Sequence, residues 1–345
     1  MTYQRRRIAA YAGGGLGAFV LGGAAGLAGI MYGEVKLAER RIPLAVDDPP
    51  PSNDTVWAAA GVSSGRPPIR IAMLGDSTAA GYGVYRDRDT PGAQLAILIS
   101  GAARRPVHLT NVAVVGAESP DLGVQVDALQ RTDRTHSTEL AIIMIGANDV
   151  TEGTKPAVAV PYLADAVSRL RALGAEVVVG TCPDLGTIRP LAQPLRAFAR
   201  RKARDMAREQ TVAVIGAGGR TVSLGDLLGP VFANHVEYFS EDRFHPSAAG
   251  YAEAARAVLP SCLDALGVRT RARSASTFTT RRVKTARKAA AQAVARPGTE
   301  VSGAERFGRS GGRHGPFAKL RRRRARNAPA TSPEAAVPVT ASGGA

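Results

Sequence analysis

The sequence predicts an α/β domain on a mostly parallel, five-stranded sheet. Three observations carry that reading. Five short apolar runs alternate with longer stretches of helical spacing, the pattern of strands joined by crossover helices rather than hairpins. Glycines and polar residues follow several of those runs, where a parallel sheet opens its ligand crevice. Just two cysteines, Cys182 and Cys262, occur in 345 residues, which excludes a disulfide scaffold and any C-x-x-C zinc or redox motif. A bridge between these two stays open, free packed thiols being the expectation.

From the N-terminus, M-T-Y-Q-R-R-R leads into 26 uncharged residues, 8–33, rich in Gly and Ala. That length exceeds the apolar region of a signal peptide and matches the roughly 20 residues that span a bilayer. A transmembrane anchor is therefore expected, with a cleaved signal (and a secreted domain) or a buried helix as alternatives. Arg5, Arg6 and Arg7 before the stretch nearly balance Lys36, Arg40 and Arg41 after it. The tighter first cluster tips the orientation towards an extracytoplasmic body rather than a cytoplasmic one. Residues 34–68, with D-D-P-P-P-S-N-D and S-S-G-R-P-P, read as an extended Pro-rich linker.

The domain proper is expected over 69–267. Strand-like runs fall at 69–74, 107–115, 140–145, 175–180 and 211–215, and helix-like spacing at 92–100, 121–130, 160–173 and 195–209. A last helix begins at Ser247. Arg196, Arg200, Arg204 and Arg208 recur every four residues and form one stripe, read as a solvated face. Beyond Gly267, residues 268–345 carry 18 Lys and Arg against 3 Asp and Glu, whereas 1–267 carry 27 against 26. The net charge of +16 thus belongs to a tail whose composition predicts disorder. It does not describe a nucleic-acid-binding face. Its R-R-R-R-A-R run suits anionic lipid or an acidic envelope polymer.

Four polar groups stand where the sheet would gather them. Residues 71–83 read I-A-M-L-G-D-S-T-A-A-G-Y-G, a strand that breaks into Gly75-Asp76-Ser77. Gly116 follows N-V-A-V-V, Gly146-Ala147-Asn148-Asp149 follows A-I-I-M-I, and Asp242-Arg243-Phe244-His245-Pro246 precedes the last helix. Each has a bland reading alone: G-D-S is a common turn, Asn-Asp a helix cap, a lone histidine a structural residue. Their joint position at strand and helix ends is the stronger signal.

These four blocks, in this order, resemble those of the SGNH (GDSL-type) hydrolase family over about residues 69–267. Gly75-Asp76-Ser77 matches the nucleophile block, Gly116 the glycine block, Gly146-x-Asn148-Asp149 the asparagine block and Asp242-x-x-His245 the acid–base block. The resemblance implies a three-layer, flavodoxin-like fold and hydrolysis of esters or thioesters. It implies Ser77, His245 and Asp242 as the catalytic set, and the N–H groups of Ser77 and Gly116 with the Asn148 amide as the oxyanion hole. Asp76 and Asp149 would support the loops. Bacterial membrane-attached members with short N-terminal anchors make the architecture compatible. The chemistry fits these residue types, since a serine hydroxyl needs an adjacent base and imidazole titrates near neutrality.

The implied activity is hydrolysis of short-chain acyl esters, lysolipids or O-acetylated sugars. Acyl transfer to a sugar or lipid alcohol, and non-catalytic envelope or membrane binding through the tail, use the same sequence features. No cofactor is expected. Five scattered histidines without H-x-H or H-x-x-x-H spacing give no metal pattern. G-D-S-T-A is not a G-x-S-x-G elbow, G-D-S-T-A-A-G lacks the G-K-[ST] of a P-loop, and V-I-G-A-G-G-R at 214–220 does not complete G-x-G-x-x-G.

Overall fold

Strand residues alternate between two faces, and the apolar runs of this chain are apolar on both, so the sheet they form is covered on both sides. The structure, a computed structural model, describes residues 33, 55–63, 65–133, 137–188, 190–224, 232, 235–268, 283–295, 299–303 and 317–322. The strands are β1 (Thr55–Trp57), β2 (Ile69–Gly75), β3 (Val107–Asn111), β4 (Leu140–Met144), β5 (Glu176–Gly180), β6 (Arg220–Val222), β7 (Val283–Thr285), β8 (Thr299–Gly303) and β9 (Phe317–Arg322). Strands β3-β2-β4-β5-β6 are parallel neighbours in that order. This is the flavodoxin-like arrangement, and the chain reverses its direction of winding between β2 and β4.

The helices are α1 (Ser77–Ala80), α2 (Pro91–Ala103), α3 (Leu122–Thr132), α4 (Ala147–Thr151), α5 (Pro156–Ala172), α6 (Leu195–Gly216), α7 (Ala248–Ala265) and α8 (Ala286–Ala293). Ile69, Ile71 and Met73 of β2 turn towards α2 and α7, together with Leu95, Ile99, Val258 and Cys262. Ala72 and Leu74 turn the other way, towards Leu122, Val126, Leu163 and Val214 of α3, α5 and α6. Helix starts follow local chemistry. The Thr90 hydroxyl accepts from Ala93 N with Pro91 at the first helical position of α2, and Ser247 caps α7 in the same way.

Several expectations change. Among the described residues the sheet is mixed and has nine strands rather than five. The fifth parallel strand is Arg220–Val222, while 211–215 forms the last turns of α6. Gln210, Thr211, Val214 and Ile215 are buried there, a helical spacing that outweighs the β-branched composition, and the chain leaves the helix through Ala217-Gly218-Gly219. Within the presumed linker, Thr55–Trp57 pairs antiparallel with β3 because Trp57, 2% exposed, seals that edge of the first core.

The described part of the presumed tail is also folded. Strand β8 pairs antiparallel with β6, and β9 and β7 follow outward. Helix α8 buries Ala289 and Ala293 against Ile215, Val301 and Ala318. The segment has few large apolar residues of its own; it borrows the flank of α6 and the open edge of β6. Glu300 of β8, 1% exposed, accepts from Ser261 Oγ at 2.9 Å and faces Arg220 at 3.5 Å, while Arg220 also holds Asp264 at 2.7 Å. The expected anchor, 8–33, lies outside the described residues apart from Gly33. Among the described residues, no helix is long and apolar enough to cross a membrane. Cys182 and Cys262 are both buried free thiols.

Candidate active site

Strand β2 ends on Gly75 at φ +132°, where a Cβ would lie 1.8 Å from the Met144 carbonyl oxygen. Only glycine brings the ends of β2 and β4 this close. Asp76 N then donates to Met144 O at 3.0 Å, and Asp76 caps α1 by accepting from Thr78 N at 2.9 Å. Ser77 therefore stands at the first position of a short helix, directly beyond the sheet and 8% exposed.

The chain returns to this point 168 residues later. Ser77 Oγ lies 2.9 Å from His245 Nε2, and His245 Nδ1 lies 2.6 Å from Asp242 Oδ2. The other Asp242 oxygen accepts from Ser240 Oγ at 2.7 Å, Phe244 N at 2.8 Å and His245 N at 2.9 Å. Burial would raise the Asp242 carboxyl, but the bonds from His245 and Ser240 outweigh it and hold it down at about 2. The imidazole is wedged between Tyr82 and Phe244, with ring centroids at 4.6 and 4.8 Å. Tyr251 of α7 donates to Tyr82 O at 2.6 Å, so the wedge is anchored to the same helix that follows His245.

Opposite the histidine, Val114 N donates to Gly75 O at 3.1 Å and brings the Gly116 turn, φ +82°, alongside the end of β2. Asn148 in α4 donates one amide hydrogen to Ala117 O at 2.9 Å, which fixes the side chain against that turn and leaves its second N–H. Among the described residues, the N–H groups of Ser77 and Gly116 donate to no other group. All seven residues singled out from the sequence thus converge at the switch point, though not in one role. Asp149 is fully buried and accepts from Ser119 N and Oγ at 3.1 and 2.9 Å. Burial raises its carboxyl against those bonds. It ties α4 to the Gly116 turn and touches none of Ser77, His245 or Asp242. Asp76 is 2% exposed, and burial pushes it up to about 6 against the Thr78 bond and the nearby His245.

Sequence reasoning missed two glutamines. Gln125 donates to Gly75 O at 2.8 Å and accepts from Gly75 N at 2.7 Å. Gln210 donates to Ile145 O at 3.0 Å and accepts from Cys182 N at 2.8 Å. Each amide satisfies backbone groups where the parallel ladder ends. Their signal is positional: both fall on the buried face of an amphipathic helix. Asp184, 3% exposed, receives Arg200 and Arg204 at 3.2 and 3.4 Å, while Arg196 donates to Leu191 O at 2.8 Å and Arg208 pairs with Asp205 at 2.9 Å, so every arginine of the stripe is engaged. Among the described residues no cluster of ligating side chains could hold a metal.

A doubly covered α/β sheet with a serine, an imidazole and an amide at its switch point is the arrangement of an SGNH-type hydrolase. The chain belongs to the GDSL-like Lipase/Acylhydrolase family, whose model matches residues 73–253. It is 40% identical over 247 residues, 70% of this chain and 78% of the relative, to the GDSL-like esterase Rv1075c of Mycobacterium tuberculosis (strain ATCC 25618 / H37Rv). Among solved structures it is similar to TesA, at 21% identity and TM-score 0.47 over 57% of this chain and 99% of that one. It is also similar to a lipolytic G-D-S-L family member from Veillonella parvula DSM 2008, at 17% identity and TM-score 0.45 over 55% and 96%. The protein is a carboxylic ester hydrolase.

Proposed function

We propose that hydrolysis proceeds through an acyl-enzyme on Ser77, with His245 as general base and acid and Asp242 as its orienting carboxylate. The observation that carries this reading is the unbroken hydrogen-bond chain Ser77 Oγ–His245 Nε2, His245 Nδ1–Asp242 Oδ2. Ser77 Oγ attacks the ester carbonyl as His245 takes its proton. Asp242 stays ionised and stabilises the imidazolium. The C–O bond to the alcohol breaks and that oxygen leaves with the proton from His245. Water, deprotonated by the same nitrogen, then releases the acid and returns the proton to Ser77.

The developing oxyanion is received by the N–H groups of Ser77 and Gly116 and the second N–H of Asn148. Each such donor is worth about 2.7–4 kcal/mol in the transition state. Family membership favours water over a sugar or lipid alcohol as acceptor. The small residues Thr78-Ala79-Ala80-Gly81 beside the nucleophile suit short acyl chains, lysolipids or O-acetylated sugars as substrates. Ser77→Ala is expected to lower kcat for a 4-nitrophenyl butyrate substrate by about 10⁴-fold or more with an unchanged circular dichroism spectrum; retained turnover would remove Ser77 from the mechanism. We extend the proposal to location: the uncharged stretch 8–33 anchors the protein, and the basic chain beyond 268 meets anionic lipid or envelope polymer. Carbonate extraction of membranes holding the full chain tests this, and release into the soluble fraction would exclude an anchor.

A further inference from the structure

The turn that carries Asp242 and His245 holds an arginine between them. Arg243 has φ +56°, in the left-handed region that favours glycine. Among the described residues the other non-glycine with positive φ is Arg104, the C-cap of α2, where that conformation ends a helix. Arg243 ends none. Its N–H donates to Ser240 O at 3.0 Å, and the next residue, Phe244, is half-buried, packs against the core cluster that contains Ala147 and Cys182 and lies against the His245 ring. Arg243 itself is exposed. Its guanidinium makes no hydrogen bond or ion pair with any described residue, whereas Arg86, on the loop that follows Tyr82, bonds Asp89 at 2.7 Å. That loop and the Arg243 turn meet: a Cβ on Gly83 would lie 2.9 Å from Ser240 Oγ.

The reaction gives this position a direction. The oxyanion donors come from the turns after β2, β3 and β4, so the ester carbonyl faces them. The alcohol oxygen must lie within reach of His245 Nε2 to be protonated as it leaves. Substituents a few bonds beyond that oxygen therefore lie on the side of His245, whose turn, 240–246, also carries Arg243. A guanidinium presents paired donors that match phosphate oxygens in a planar, bidentate fashion.

We propose that Arg243 is a specificity-determining residue that binds a phosphate carried on the alcohol portion of the ester, a reading that rests on the Ser77–His245–Asp242 assignment above. The test compares 1-butyrylglycerol 3-phosphate with 1-butyrylglycerol, which differ only in the phosphate, by butyrate release from the detergent-solubilised full chain at low salt. For wild type, kcat/KM is expected to favour the phosphorylated ester by about threefold to fivefold, the range of a partly solvated ion pair, and the preference is expected to shrink at roughly 0.5 M salt. Arg243→Lys keeps part of the preference and Arg243→Glu inverts it. Arg243→Gly, which adopts the left-handed turn without strain, brings the ratio near one and separates lost charge from a distorted loop. A wild-type ratio near one, or a preference that survives in both the Glu and Gly variants, would overturn the proposal. If wild type hydrolysed neither ester, or Ser77→Ala hydrolysed both, the underlying assignment would fall instead and take this one with it.

Discussion

At Gly75 the backbone itself is the functional part. A methyl group there would lie 1.8 Å from Met144 O, so Gly75→Ala is expected to separate β2 from β4 and cost more stability than a surface change, read as a lowered Tm with loss of esterase activity. Asp76, next along, is costly to ionise in place. Because its native value of about 6 lies above the ordinary 3.8, the penalty is full above about pH 6 and absent below about pH 4. Asp76→Asn keeps a side-chain oxygen for Thr78 N and removes the charge. It is expected to raise stability by roughly 2–3 kcal/mol at pH 8 and by much less at pH 4, measured by urea unfolding at both pH values. Asn148→Ala removes one proposed oxyanion donor and is expected to lower kcat about 10²–10³-fold with little change in KM. These residues were legible in the sequence because each sits where an apolar run stops. Gln125 and Gln210 were not, since a lone polar residue within a helical pattern reads as surface until the strand ends it caps are known.

Elements were legible in proportion to how far their own residues pack against themselves. Strands β2, β4 and β5 are apolar runs broken only by Arg70 and Glu176 near their starts, and the sequence boundaries fall within a residue of the observed ones. Helix α6 misled because T-V-A-V-I looks extended, while its burial follows a helical face towards α8 and the sheet. Strand β8 was illegible for a related reason: its hydrophobic partner lies across the sheet, and its key residue is a carboxylate. Glu300→Ala is expected to cost about 3 kcal/mol, the lower end for breaking a buried pair because Arg220 retains Asp264. Glu300→Gln, still able to accept from Ser261, should cost less. Chemical denaturation of the two variants checks the ranking.

For the whole molecule, one sheet runs from β1 to β7, so edges far apart in sequence share a single ladder. Trp57, the one tryptophan of the chain, is buried beside β3 at the far end of the sheet from β8. If the sheet unfolds as one unit, Glu300→Ala will lower the midpoint seen by tryptophan fluorescence as much as that seen by circular dichroism. A fluorescence midpoint that stays put would make the outer strands an independently melting unit. The charge distribution read from the sequence suggested a neutral body and a basic appendage; the ladder joins the described part of the second to the first, with Lys284, Lys319, Arg321 and Arg322 on its outer strands.

The 168-residue separation between Ser77 and His245 also has a temporal meaning. On the proposed mechanism the hydroxyl emerges during synthesis long before its base, and the carboxylate and imidazole arrive together just ahead of α7. Until the last parallel strand has been added and that turn folds back over Tyr82, Ser77 is an ordinary alcohol. On that mechanism a nascent chain is chemically silent towards the esters around it, and reactivity begins as a late event of folding.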